Sequence, residues 1–479
     1  MSDTELIFHS ASQMAEQICE KKISPVTLVE AHLARIEKLN PKINAFVHVN
    51  AERALSDARQ SEAAVMRGDT LGPLHGVPIS IKSSIDVVGM RCEAGTKLRA
   101  GYVAQTDAPL VSRLRNAGAI ILGVTNTPEL LMAWETDNLL YGRTNNPWDL
   151  SRTAGGSSGG EAAAIASGCS AGGVGSDGGG SIRVPAHFCG ICGLKPTPGR
   201  IPATGHFPQS VGPFTVLGVV GPIARTVRDL KLLFEIMQGP DIGDVSAAPV
   251  PVSWPSSGDL KKIRIGYFED DGHTPVTAET RIALRQAAEA LRSDGFEVEP
   301  FRPEGLEAAR QLWWKFFGGT GGMLLSPMTS GHEAELSPIL KEFNTWVAAE
   351  TPLTARSLLD AWIERDLLRM QMSAQMEKFP VLLCPVASIP AFRHGERSWQ
   401  VDGKTVQYLD AWSYCEWFNL LGMPAAVVPV GRTPEGLPIG VQIAARPWED
   451  ELVLSVAGEL ERASSINARL KVLAENPRP

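Results

Sequence analysis

The spacing of apolar positions divides the chain into segments of two kinds. In "SPVTLVEAHLARIEKLN" (residues 24–40), Val26, Leu28, Val29, Leu33, Ile36 and Leu39 recur at helical intervals, with Ser24 as N-cap and Pro25 in the first turn. Residues 1–70 read as helical throughout. Beyond them come short apolar runs of strand length. Val77–Ile81 ends on Lys82, and "IILGV" (120–124) follows the helical "APLVSRLRNAGA". "KIRIGYF" (262–268), a helix near 278–293 and "FEVEPF" (296–301) repeat the alternation. "VLLCPV", "AAVVPV" and "GVQIAA" precede a closing helix, "DELVLSVAGELERAS". Such interleaving predicts an α/β fold, a large mixed, mostly parallel twisted sheet covered by helices on both faces.

The stretch 302–380 departs from this rhythm. It is helical and rich in tryptophan, phenylalanine and methionine, as in "QLWWKFFGGTGGMLL" and "LLRMQMSAQMEKF". Two readings stay open: an ordinary core helix pair, or the wall of an apolar substrate channel. Residues 250–259 read as a surface linker.

Composition narrows the function classes. The 479 residues are 44% hydrophobic and 20% charged, with a net charge of −8 and no run of lysine or arginine, which speaks against nucleic acid as partner. The N-terminus lacks a basic and then apolar leader pattern. The most apolar stretch, Val211–Ala224, is short and broken by proline and glycine. No membrane span and a cytoplasmic location are therefore expected. Seven cysteines, an odd number, suggest free thiols. Cys189 and Cys192 form a C-x-x-C with apolar flanks and no second pair, so buried thiols are expected there and no metal site.

The candidate chemistry lies in two glycine-rich blocks, "RTAGGSSGGEAAAIASG" (152–168) and "GSDGGGSIRVPAHFCGICGLKP" (175–196). Gly173–Gly178 fits G-x-G-x-x-G. However, Pro185 interrupts early and no acidic residue follows before Arg228, so a dinucleotide site is rejected. Gly155–Gly159 fits the G-x-S-x-G nucleophile elbow around Ser157. That motif needs a preceding strand and a partner histidine; "NNPWDLSRTA" reads as a loop, though His187, His206, His273, His332 and His394 lie downstream. A third reading needs no histidine. Lysine becomes a base for serine when burial brings its pKa to about 7–8, a shift worth roughly 4 kcal/mol, and Lys82 ends an apolar strand.

With "GVPISIK", "NPWDLSRTAGGSSGGEAAAIASG", "GSDGGGSIRVPAHFCGICGLKP", "GMPAAVVPVG" and "LPIGVQIAARPWEDELVLSVAGELE" in this order, the chain resembles the amidase signature family from about residue 8 to about 465. The fatty acid amide hydrolase and bacterial amidase branch is the most similar. The resemblance implies an N-terminal helical segment (1–70) packed on a catalytic domain (71–479), with a variable helical insertion around 302–380. It also implies a Ser–cis-Ser–Lys triad, with Lys82 as base, Ser157 as the cis-serine and Ser181 as nucleophile. The amides of Gly178, Gly179, Gly180 and Ser181 would form the oxyanion hole, and Leu131 would touch substrate. Asp177 and Arg183 would pair as orienting residues beside the nucleophile. The implied reaction is hydrolysis of a carboxylic amide, with hydrophobic acyl or aryl amides favoured and aryl carbamates or esters as alternatives on the same triad. The glutaminase component of a tRNA amidotransferase is a further, more distant possibility. The implied partner is a small-molecule substrate, with no metal, no cofactor and a possible homodimer. One departure stands out. Family members commonly carry Thr or Ile where this chain has Gly178, and the extra glycine is expected to loosen or open the oxyanion loop.

Overall fold

Each apolar run becomes a strand in the computed structural model, which describes residues 3–350 and 352–464. In chain order the strands are β1 (Phe46–Val49), β2 (Pro78–Lys82), β3 (Ile120–Thr125), β4 (Asn145–Asn146), β5 (Asp149–Thr153), β6 (Gly172–Asp177), β7 (Cys192–Lys195), β8 (Val219–Ala224), β9 (Arg264–Tyr267), β10 (Glu297–Pro300), β11 (Val381–Pro385), β12 (Ser398–Val401), β13 (Lys404–Gln407), β14 (Ala425–Arg432) and β15 (Pro438–Ala445). Eleven of them form one sheet in the order β1-β3-β2-β6-β8-β7-β14-β15-β11-β9-β10. The β4/β5 and β12/β13 ladders stand apart.

The sheet is mixed, but it is not mostly parallel: six of its ten ladders are antiparallel. Connection length explains the difference. Only residues 433–437 join β14 to β15, too few for a crossover helix, so this pair must run antiparallel. Parallel pairing is confined to the flanks, β3-β2-β6 and β11-β9-β10. There helices such as Ala278–Ser293, between β9 and β10, supply the crossover.

Alternate residues of the strands feed two separate apolar clusters. Ile120, Leu122, Leu382 and Cys384 belong to one, and Ile121, Val124, Val381 and Leu383 to the other. Both faces are therefore covered, as a strand apolar on both sides requires.

Residues 3–67 supply four helices, α1 (Asp3–Ile7), α2 (Ala11–Cys19), α3 (Pro25–Ile43) and α4 (Ala51–Arg67), but also β1, which pairs antiparallel with β3 at the sheet edge. The N-terminal segment is thus woven into the sheet. Its four-residue strand is hidden in the sequence between two stronger helical patterns. Residues 1, 2, 351 and 465–479 of the expected segments lie outside the described residues. No described helix is long and apolar enough to cross a membrane.

Candidate active site

Strands β2 and β6 are parallel neighbours, with Ser80 opposite Gly173 and Ile81 opposite Val174, so their C-terminal ends emerge side by side. The end of β2 delivers Lys82, and that of β6 delivers Ser176 and Asp177. After helix α5 (Pro109–Asn116) and β3, the chain enters α6 (Gly159–Ala166), which leads back into β6 and follows Ser157 directly. These placements converge. Lys82 Nζ lies 2.6 Å from Ser157 Oγ and 3.0 Å from Ser176 Oγ, and the Gly156–Ser157 peptide is cis. Lys82 is fully buried. Burial pushes its ammonium down to about 7, against the opposing pull of Asp177 and Glu161.

Beyond Asp177 the chain turns through Gly178–Gly180 to Ser181 and helix α7 (Arg183–Cys189). Ser157 and Ser181 line one cleft with about 500 Å³ of empty space, its open mouth included. No hydrogen bond joins them directly. Leu131 and Met132 line the same cleft, together with Phe214 and Phe317.

The Asp177–Arg183 pair is a core feature rather than a surface one. Both side chains are wholly buried, 2.9 Å apart at the closest. Arg183 also donates to the Cys415 carbonyl and to Gln442 and Asn419, while Asp177 accepts the backbone N–H groups of Gly180 and Ile182. Burial alone would raise the Asp177 carboxyl. The Arg183 guanidinium and these donors hold it well below the usual carboxylate range instead.

This network corrects the expected oxyanion donors. The N–H of Gly180 is committed to Asp177 Oδ1 at 2.7 Å, so it is not available to a substrate. Among the described residues, the N–H groups of Gly178, Gly179 and Ser181 have no protein acceptor. The loop is not loose either. Trp313 Nε1 donates to the Gly178 carbonyl at 2.9 Å, and Trp134 Nε1 to the Gly179 carbonyl at 2.8 Å. A Cβ on Gly179 would sit 2.3 Å from Trp313 Cζ2, so only glycine admits this indole. A Cβ on Gly178 would instead meet Phe317 at 3.4 Å and Phe214 at 3.8 Å. The glycine at this position therefore leaves the space beside the Phe317 and Phe214 rings unfilled.

The histidine reading finds no support. His187 is buried against the Ile389 carbonyl and Gly440 N–H. His206 lines the cleft, but its Nδ1 donates to the Pro208 carbonyl, its Nε2 lies 3.4 Å from Ser84 Oγ, and burial pushes it down to about 4. Among the described residues, no histidine bonds Ser157 or Ser181. A strand does precede Ser157, contrary to the loop expected there. It is β5, which pairs with β4 and bridges Arg393 through Arg152, outside the main sheet, and so is unlike an elbow strand.

Of the 302–380 segment, only Phe317 lines the cleft. It lies on a π-helical turn (Lys315–Thr320) and stacks on Trp313, their ring centres 4.5 Å apart. Trp313 and Phe316 are core residues, so packing accounts for most of this aromatic content. Sequence reasoning missed Ser176, His206, Phe214 and the two anchoring tryptophans as site residues. The adjacency of Ser176 to Asp177 was a usable signal for the first. Phe214 lies inside the apolar stretch weighed only as a membrane span.

Comparison with known proteins gives this geometry a context. The Amidase family model matches residues 27–454. The acylamidase of Rhodococcus erythropolis is 35% identical over 471 residues, covering 96% of each chain. The indoleacetamide hydrolase of Bradyrhizobium diazoefficiens is 34% identical over 468 residues, covering 96% of this chain and 87% of that one. A solved fatty acid amide hydrolase superposes with a TM-score of 0.87 at 26% identity, covering 97% of this chain and 86% of that one. The chain belongs to the amidase signature family and is an amide-hydrolysing enzyme.

Proposed function

We propose that the enzyme hydrolyses hydrophobic acyl or aryl amides through an acyl-enzyme on Ser181, with a proton relay through Ser157 to Lys82. The observation that carries this reading is the 2.6 Å approach of Lys82 Nζ to Ser157 Oγ in a fully buried setting, on the cleft that Ser181 shares. Neutral Lys82 takes the Ser157 proton, Ser157 takes that of Ser181, and Ser181 Oγ attacks the carbonyl carbon. The uncommitted N–H groups of Gly178, Gly179 and Ser181 are the donors for the tetrahedral oxyanion. The relay then returns a proton to the leaving amine, and water cleaves the acyl-enzyme.

The apolar lining from Leu131, Met132, Phe214 and Phe317 supports a hydrophobic substrate. The one acidic or basic side chain lining the cleft besides neutral His206 is Asp177, and Arg183 occupies it. A free glutamine, with its ammonium and carboxylate, would find no counter-charge in that lining, which favours acyl or aryl amides over the amidotransferase role.

The test is hydrolysis of anilides from acetyl to long-chain acyl, plus one aryl carbamate. Lys82→Ala and Ser157→Ala should each lose about 10²–10⁴-fold in rate, and Ser181→Ala at least as much. Full activity in Lys82→Ala and Ser181→Ala would refute the mechanism. Because the base is the neutral amine, wild-type kcat/KM should rise with pH through about 7.

A further inference from the structure

Glu161 is a wholly buried carboxyl that the relay does not use. It sits in the first turn of α6, four residues after Ser157, and reaches back to the two strands that frame Lys82. One carboxylate oxygen accepts Ser80 Oγ at 2.5 Å, from β2 two residues before Lys82. The other accepts Thr125 Oγ1 at 2.7 Å, from β3 at the position registered with Lys82. The carboxylate lies so close to β6 that a Cβ on Gly173 would come within 1.9 Å of it. Three elements of the site are therefore joined through one side chain.

We propose that Glu161 is the positioning residue of the Lys82 base, fixing the lysine strand against the helix that follows Ser157 and supplying the negative charge that the lysine meets when it takes a proton. The inference rests on the triad reading above.

The groups facing Lys82 are Ser157 before α6, Glu161 on α6, Ser176 and Asp177 on β6, and His206 from the loop after β7. Asp177 is neutralised by Arg183, and His206 is uncharged. Glu161 faces the Ser80 and Thr125 hydroxyls and Lys82, and no described ion pair includes it. Lys82 likewise has no described ion pair of its own. An ammonium formed there during the relay has one uncommitted anion to meet, the Glu161 carboxylate. Burial pushes the Glu161 carboxyl up to about 7, while the two hydroxyl donors and Lys82 oppose that rise.

The experiment records kcat and KM against pH for wild type, Glu161→Gln, Thr125→Val and Ser80→Ala on one anilide. Removing the anion destabilises protonated Lys82. The acid limb of kcat/KM in Glu161→Gln should therefore move down by about one pH unit, with kcat lowered about tenfold and KM unchanged. Thr125→Val and Ser80→Ala each weaken the carboxylate form, so their limbs should move the same way by less. A folded Glu161→Gln enzyme whose acid limb and kcat match wild type would overturn the proposal. If Glu161→Gln does not fold, unmoved limbs in both hydroxyl variants would overturn it instead. Full activity in Lys82→Ala is a separate result, which would sink the triad reading itself.

Discussion

Lys82, Ser157, Ser176 and Glu161 come from neighbouring elements and are at most 5% exposed, whereas the helical segment 306–375 meets the same cleft through Phe317 alone. Among its other described residues, Trp313, Phe316, Leu312 and Leu340 pack into the core while several aliphatic side chains face outward. Leu359, Ile363, Leu367 and Met370, spaced along one helix face, are all more than half exposed. In the first region each side chain is fixed by a partner at hydrogen-bond distance, so its identity cannot drift without leaving a buried polar group unsatisfied. In the second, apolar residues of similar volume replace one another at low cost. The polar corner holds the residues to which the proposed mechanism assigns the chemistry; the helical segment contributes shape.

The sharpest way to break this contrast is Asp177→Asn. It leaves Arg183 buried without its carboxylate and should lower unfolding free energy by about 3–5 kcal/mol, read by denaturant titration. A loss under about 1 kcal/mol would mean that the corner is no more constrained than a surface pair. Gly179→Ala should come next. Displacing the Trp313 indole disturbs the oxyanion loop, and kcat should fall about 10²-fold at nearly unchanged KM. Phe317→Ala is expected to raise KM for long-chain or aryl anilides about tenfold, through lost apolar contact, while acetyl anilide is affected less. Equal effects on both substrates would remove Phe317 from the acyl pocket. The smallest effect should be Leu367→Ser, with stability within about 0.5 kcal/mol of wild type and kinetics unchanged.

The same division governs what was legible in the sequence. Glycine density and an apolar strand ending in lysine marked Lys82 and the two serine blocks as places of close backbone approach and burial, but it was the resemblance to the amidase signature motifs that gave Lys82, Ser157 and Ser181 their roles. The strands of the apolar runs, β2, β3, β9, β10, β11, β14 and β15, were visible as such, whereas β1, β5 and the glycine-rich β6 were not. Strand directions were not legible. Six of the ten ladders are antiparallel, and of these only β14/β15 has a connection short enough to dictate its direction; the rest depend on which strands become neighbours, which periodicity does not encode. The capture of the Gly180 amide by Asp177 was hidden too, because glycine shows that an amide can turn but not what it faces. Nor did the run "QLWWKFF" reveal that Trp313 holds the Gly178 carbonyl while Phe317, four residues on, lines the cleft. Both are large, apolar and helical, and only the third dimension separates them.

The central claim is that Ser181 bears the acyl group and Ser157 relays a proton. Its most direct test is peptide mass mapping after the enzyme is treated with an activated fluorophosphonate carrying an alkyl chain. The account predicts one stoichiometric adduct on Ser181, formed fastest above pH 7 and suppressed in Lys82→Ala. An adduct on Ser157, or one on Ser181 formed at the wild-type rate in Lys82→Ala, would contradict it.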